Sequence, residues 1–136
     1  NQSPIGRGLW GHDVLTQIND KLQELLLEED QGAEIDLILY SPYAPSDDAW
    51  SRKPNPGMLE AGRQIIDNAH RFPGKSNILL FGDDWTDRPS ESGSMLVGDR
   101  QSDISAAERF GVKGILCDSE SGISGVFETI LDYVEG

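Results

Sequence analysis

Ser94–Cys117 reads SMLVGDRQSDISAAERFGVKGILC, and its patterning decides the fold. Met95-Leu96-Val97 is an apolar run that ends in Gly98-Asp99, which predicts a buried strand with a carboxylate at its carboxyl end. Open α/β sheets place their ligands at that end of a strand. Asp103 lies four residues on, where Ile104, Ala107 and Phe110 set a helical period that Gly111 closes, and Val112–Cys117 is again β-rich. Two acidic side chains at a strand-to-helix turn suit a hard cation with oxygen ligands, most simply Mg²⁺. The competing role is structural: Asp99 turns the chain and Asp103 caps the helix.

The rest of the chain alternates in the same way. Asn1–Gly11 is rich in Gly and Pro and reads as a loop, and Asp13–Glu29 carries a helix-period stripe of Val14, Leu15, Ile18, Leu22, Leu25 and Leu26. Ile35–Tyr40 (IDLILY) is short, β-rich and bounded by Gly32 and Pro42, which predicts a strand. Ser41–Pro56 reads as a Pro-rich loop, Met58–Phe72 as a helix, Asn77–Phe81 as a second short apolar run and Ile123–Val134 as a last helix. Such alternation predicts an α/β fold with a Rossmann-like parallel sheet. Gly82-Asp83 with Asp87 repeats the spacing of Gly98-Asp99 with Asp103 but runs into Arg88-Pro89-Ser90, so residues 77–93 read as an inserted loop.

Composition narrows the function. The 136 residues are the size of one ordinary domain, and 24 Asp+Glu against 11 Lys+Arg give a net charge of -13. That balance argues against nucleic acid or an anionic membrane as partner. No run approaches the roughly 18 apolar residues of a spanning helix. The single Cys117 allows no internal disulfide, and a reducing cytoplasm is the simplest setting. His12 and His70 have no ligand-spaced partner and read as surface or capping residues; Trp10, Trp50 and Trp85 read as packing residues.

On this acidic chain one basic pair stands out. Arg52-Lys53 lies in the Pro-rich loop just before the helix that Gly57 introduces. A planar guanidinium and a point charge beside a helix N-terminus make a candidate phosphate clamp, against the commoner fate of a solvated basic pair. Asn1-Gln2-Ser3 with Gly6-Arg7-Gly8 is a polar loop with amides that suit an anion, or a simple flexible terminus.

Taken in order, Asn1-Gln2-Ser3 with Gly6-Arg7-Gly8, Arg52-Lys53-Pro54-Asn55-Pro56-Gly57-Met58 and Gly98-Asp99-Arg100-Gln101-Ser102-Asp103-Ile104 resemble the haloacid dehalogenase (HAD) superfamily. The resemblance is to its branch of D-glycero-D-manno-heptose bisphosphate and histidinol phosphatases. It covers nearly the whole chain except residues 77–93. It implies catalytic roles for Lys53 and Arg52 in stabilising a transferring phosphoryl group, and Mg²⁺ held by Asp99 with Asp103 supporting the metal shell. It also implies substrate contacts from Asn1, Gln2, Ser3, Arg52, Lys53 and Arg100. The partner so implied is a small phosphorylated metabolite.

The chain departs from the family pattern in two ways. The nucleophilic Asp-x-Asp pair and the first two strands of the family sheet lie upstream of the Asn1 loop, so the chain reads as the C-terminal portion of a single HAD-like domain, inactive alone. The Ile35 strand is then expected on one side of a gap and the Met95 and Lys113 strands on the other, with unpaired backbone between them. The positions of the family's zinc loop are Ser41, Tyr43, Ala49 and Ser51, which make no good zinc site, so packing by Tyr43 and Trp50 is expected to hold that loop instead. The rival reading is a non-catalytic HAD-like module that binds a phosphorylated ligand or serves as a scaffold.

Overall fold

The structure, a computed structural model, describes residues 1–76 and 78–136. Its regular elements are helices α1 (Ser3–Gly6), α2 (His12–Glu29), α3 (Gly57–Arg71), α4 (Gln101–Phe110) and α5 (Phe127–Glu135), with strands β1 (Met95–Gly98) and β2 (Lys113–Leu116). The strands pair in parallel, Met95 opposite Lys113 and Gly98 opposite Leu116. This is the α/β arrangement that the alternation predicts.

The β1–α4–β2 unit holds most of the core. Ala106 and Ala107 of α4 are fully buried, and Ile115 of β2 is nearly so. Small residues let the helix lie close to the strands: a Cβ on Gly114 would sit 3.2 Å from Ile104 and 3.3 Å from Ala107. Gly111, at φ 93°, takes the left-handed turn that ends α4, and its amide donates to the carbonyls of Ala107 and Glu108. The Cys117 amide donates to Gly98 O at 2.9 Å and carries the pairing one residue past β2.

Two expectations need correction outside this unit. The Asn1–Gly11 loop contains the single-turn helix α1. Ile35–Tyr40 is not a strand, because it has no strand partner among the described residues. Its β character survives only as alternation, with Ile35 and Leu37 half-buried and Asp36 and Ile38 exposed. A glutamine amide does the work of a ladder here: Ile35 N–H donates to Gln23 Oε1 at 2.9 Å, and Gln23 Nε2 donates to Ala33 O. Of the apolar run at 77–81, residues 78–81 are described and they too form no strand. Gln64 brackets this segment, donating to Leu80 O at 2.8 Å and accepting from Leu80 N–H at 2.9 Å.

Between the 35–40 segment and β1 lies a cavity of about 410 Å³, lined by Leu37 and Leu39 on one side and Met95 and Leu96 on the other, over Met58 and Ile66 of α3. Glu91 faces it, and its Oε1 is buried without a hydrogen-bond partner among the described residues. The apolar stripe of α2 is also left open: Leu15 is buried, while Ile18, Leu22 and Leu25 are about half exposed.

The Ser41–Pro56 loop is held by hydrogen bonds and by Trp50, whose half-exposed ring lies against Gly57, whereas the Tyr43 ring is exposed and does not provide the packing expected of it. Ala44 N–H donates to Asp47 Oδ2, Asn55 Nδ2 to Ala49 O, and Arg52 Nη1 to Tyr43 O. The hydroxyls of Ser41 and Ser51 meet at 3.4 Å.

Candidate active site

Three parts of the chain converge at the carboxyl end of β1. Arg100 ends the turn after β1 and caps α4, so Asp103 occupies the third helical position with its side chain turned back toward the strand. Asp103 is 3% exposed. Its Oδ2 accepts the Arg100 N–H at 3.1 Å, and its Oδ1 is paired with Lys53 Nζ. Gly98 makes this approach possible, because a Cβ there would collide with the Asp103 side chain. Lys53 is fixed from its backbone as well. Its N–H donates to Asn1 Oδ1 and its carbonyl accepts from Asn1 Nδ2, both at 3.0 Å.

Asn1, Lys53, Asp99, Arg100, Ser102 and Asp103 line a cavity of about 170 Å³. A neighbouring cavity of about 290 Å³ shares Asn1, Lys53, Arg100 and Ser102 and adds Arg52. Three cations thus meet on a chain with 24 acidic residues. Asp99 and Arg100 are exposed, and their side chains make no hydrogen bond or ion pair among the described residues. An anion entering here meets two committed cations, Lys53 on Asp103 and Arg52 on Tyr43 O, and one open one, Arg100.

The sequence-predicted residues therefore separate into two groups. Lys53, Arg52, Asn1, Arg100, Asp99 and Asp103 come together. Gln2 and Ser3 do not line either cavity: Gln2 N–H donates to Ser41 O, and Ser3 Oγ accepts from Arg7. The amides of Gly6, Arg7 and Gly8 are spent on Pro42, Ser3 and Ile5 carbonyls, which leaves none of them for an anion. His12 is tied to the Tyr40 hydroxyl at 2.8 Å.

Among the described residues no group of three or more His, Cys, Asp and Glu side chains is placed to hold a metal. The Asp99–Asp103 pair is smaller than that. A Mg²⁺ site made of one or two carboxylates completed by water and a phosphate needs no more. Asp99 fits it as a direct ligand, and Asp103, whose two oxygens already hold protein donors, fits it as the group that orients Lys53.

The family model for HAD-hydrolase-like proteins matches residues 50–125, more than half of the chain and all of this site except Asn1. The chain belongs to the HAD-like hydrolase family. Among curated relatives of this HAD-like chain, the D-glycero-beta-D-manno-heptose-1,7-bisphosphate 7-phosphatase of Pseudomonas aeruginosa is 35% identical over 90% of the chain and 56% of its own length. The phosphatase of the same name from Mesorhizobium japonicum is 32% identical over 93% of the chain and 52% of its own length. That from Pseudomonas putida is 31% identical over 98% and 65%. The HAD-like chain thus spans about half to two thirds of the length of these relatives. No solved structure matches it. No helix among the described residues is long and apolar enough to cross a membrane.

Sequence reasoning missed a second polar cluster beside the HAD-like site. Glu60, in the first turn of α3, is fully buried and accepts from Trp50 Nε1 at 2.7 Å, from Gly82 N–H and from Arg88. Asn55 Oδ1 accepts from Arg109 at 2.8 Å, which ties the Arg52-Lys53 loop to α4. The available signal was the pair Glu60 and Gln64, polar residues one turn apart on an otherwise amphipathic helix, both of which turn inward.

Proposed function

We infer that the intact protein is a Mg²⁺-dependent phosphomonoesterase acting on a small phosphorylated metabolite of the sugar-phosphate or histidinol-phosphate type. The observation that carries this reading is the convergence of Arg52, Lys53 and Arg100 with Asp99 at the end of a parallel strand, on a chain whose overall charge would otherwise repel phosphate. The names of the relatives favour a heptose phosphate among such substrates.

In this reading Lys53 and Arg52 cradle the phosphoryl group and meet the charge that builds on its oxygens during transfer. Asp103 keeps the Lys53 ammonium at one position, and Asn1 holds the Lys53 backbone from the other side. Arg100 draws the phosphate toward the strand end. Asp99 is the residue that would hold Mg²⁺, which when bound supplies charge neutralisation and orientation of the phosphate. The attacking carboxylate would come from a segment preceding Asn1, in a single HAD-like domain of which this chain is the C-terminal portion. That same segment would fill the cavity between Leu39 and Met95, pair the open edge of β1 and satisfy Glu91 Oε1. The single, buried Cys117 suits a cytoplasmic setting.

The alternative is a non-catalytic module that holds a phosphorylated ligand, and one observation favours it: Asp103 is closed on Lys53 rather than open to a metal. Turnover of phosphate monoesters by the full protein with Mg²⁺, compared among wild type, Asp99→Asn and Lys53→Met, separates the two. Loss of turnover of about a hundredfold or more in both variants is expected for the enzyme. Phosphate binding that depends on Lys53, with no turnover in the wild type, would establish the module instead.

A further inference from the structure

The buried Glu60 cluster joins two parts of the chain that lie far apart in sequence. One is the loop from Ala49 to Gly57 that presents Arg52 and Lys53. The other is the segment from Gly82 to Arg88, whose role the sequence did not explain. Glu60 Oε2 accepts the Trp50 indole N–H at 2.7 Å, and the carboxylate also accepts Gly82 N–H at 3.1 and 3.2 Å. Its Oε1 is paired with Arg88 Nη2. Every donor around this carboxylate is accounted for, as a fully buried charge requires.

Both ends of the connection are themselves rigidly held. The Arg88 guanidinium also donates to the carbonyls of Trp85 and Gly82, at 3.0 and 2.9 Å, and lies 4.8 Å over the Trp85 ring. Trp85 is 7% exposed and stacks on Phe110 of α4. On the other side Trp50 is two residues before Arg52. Its carbonyl accepts Gly57 N–H at 3.1 Å, and it lies so close to Gly57 that a Cβ there would meet Trp50 O at 2.5 Å. Within the loop, Arg52 N–H donates to Ala49 O and Asn55 N–H to Arg52 O. A continuous path of hydrogen bonds and ring contacts therefore runs from α4 through Trp85, Arg88, Glu60 and Trp50 to the phosphate clamp.

We propose that Glu60 is a positioning residue: with Arg88 it makes the 82–88 segment a strut that fixes the loop carrying Arg52 and Lys53. The proposal rests on the phosphatase reading for its consequence in turnover, but not for the strut itself. The strut sets where the clamp cations stand, so weakening it misplaces Lys53 without removing it. Misplacement by a fraction of an ångström lowers the rate of the chemical step more than it weakens substrate binding.

The test compares wild type, Glu60→Gln, Arg88→Met and Arg88→Lys in the full protein by hydrogen exchange, and by kcat and KM with para-nitrophenyl phosphate and Mg²⁺. Glu60→Gln turns an amide N–H₂ toward a cluster made only of donors; Arg88→Met strands the carboxylate; Arg88→Lys returns a cation to it. In the first two, protection of the Arg52, Lys53 and Asn55 amides is expected to fall about tenfold or more while that of β1, α4 and β2 stays unchanged. The same variants should lose about tenfold in kcat with KM within about threefold, and Arg88→Lys should regain most of both effects. Unchanged protection of the loop amides would overturn the strut, as would a uniform loss through β1, α4 and β2, which would make Glu60 a residue of global stability. Should wild type neither turn over the ester nor bind inorganic phosphate, the phosphatase reading falls, and the strut is still decided by the loop amides.

Discussion

The β1–α4–β2 unit and the extended segments at 35–40 and 78–81 are built from similar apolar residues, yet only the first contains a sheet. In the unit each strand has a neighbour, a helix covers one face, and Ala106, Ala107 and Ile115 are sealed from water. In the segments the backbone is held at single points by the side chains of Gln23 and Gln64, and Ile38, Ile78 and Leu80 remain exposed. The difference lies in the neighbours rather than in propensity. A strand is a pairwise object, and β-branched residues without a partner give an extended chain with alternating burial. The site sits at the boundary: Asp99, Arg100 and Asp103 come from the paired unit, whereas Arg52 and Lys53 come from a loop that follows the unpaired segment.

Hydrogen exchange reads this contrast most directly. The Cys117 amide, bonded to Gly98 O, should exchange at least about a hundredfold more slowly than the amides of residues 36–40. Equal protection in the two regions would break the comparison. Gly98→Ala attacks the paired unit at its tightest point, since the new methyl would occupy the space of the Asp103 side chain. A loss of about 3 kcal/mol in urea unfolding is expected, together with weaker phosphate binding as Asp103 and Lys53 are pushed apart.

Smaller effects should come from the unpaired segments. Gln64→Leu removes both hydrogen bonds to Leu80 and should cost about 2 kcal/mol, read as a lower thermal midpoint. Gln23→Ala releases Ile35 on a more exposed surface and should cost about 1 kcal/mol or less, with faster exchange confined to Ile35. If the Gln23 substitution proved as costly as Gly98→Ala, the 35–40 segment would be part of the core rather than tethered to it.

The features that follow from side-chain pattern alone are local. The apolar run before Gly98-Asp99, the helical period to Phe110, the left-handed turn at Gly111 and the β-rich run after it are all consequences of side-chain spacing and glycine geometry, and the structure contains each of them. The gathering of Lys53 with Asp99, Arg100 and Asp103 was implied only by the family resemblance of the motifs, since the residues by themselves left a solvated basic pair and a helix cap equally open. Tertiary structure alone decided the rest. Whether Ile35–Tyr40 becomes a strand depends on a hydrogen-bonding partner that no local pattern supplies. Whether Asp103 faces a cation from solvent or from the chain depends on Lys53, fifty residues away. No local pattern settles the burial of Glu60, and it is buried because Arg88 and Trp50 arrive from distant positions to satisfy it. A charge can leave water only where its partners are already in place, and that condition is met in three dimensions.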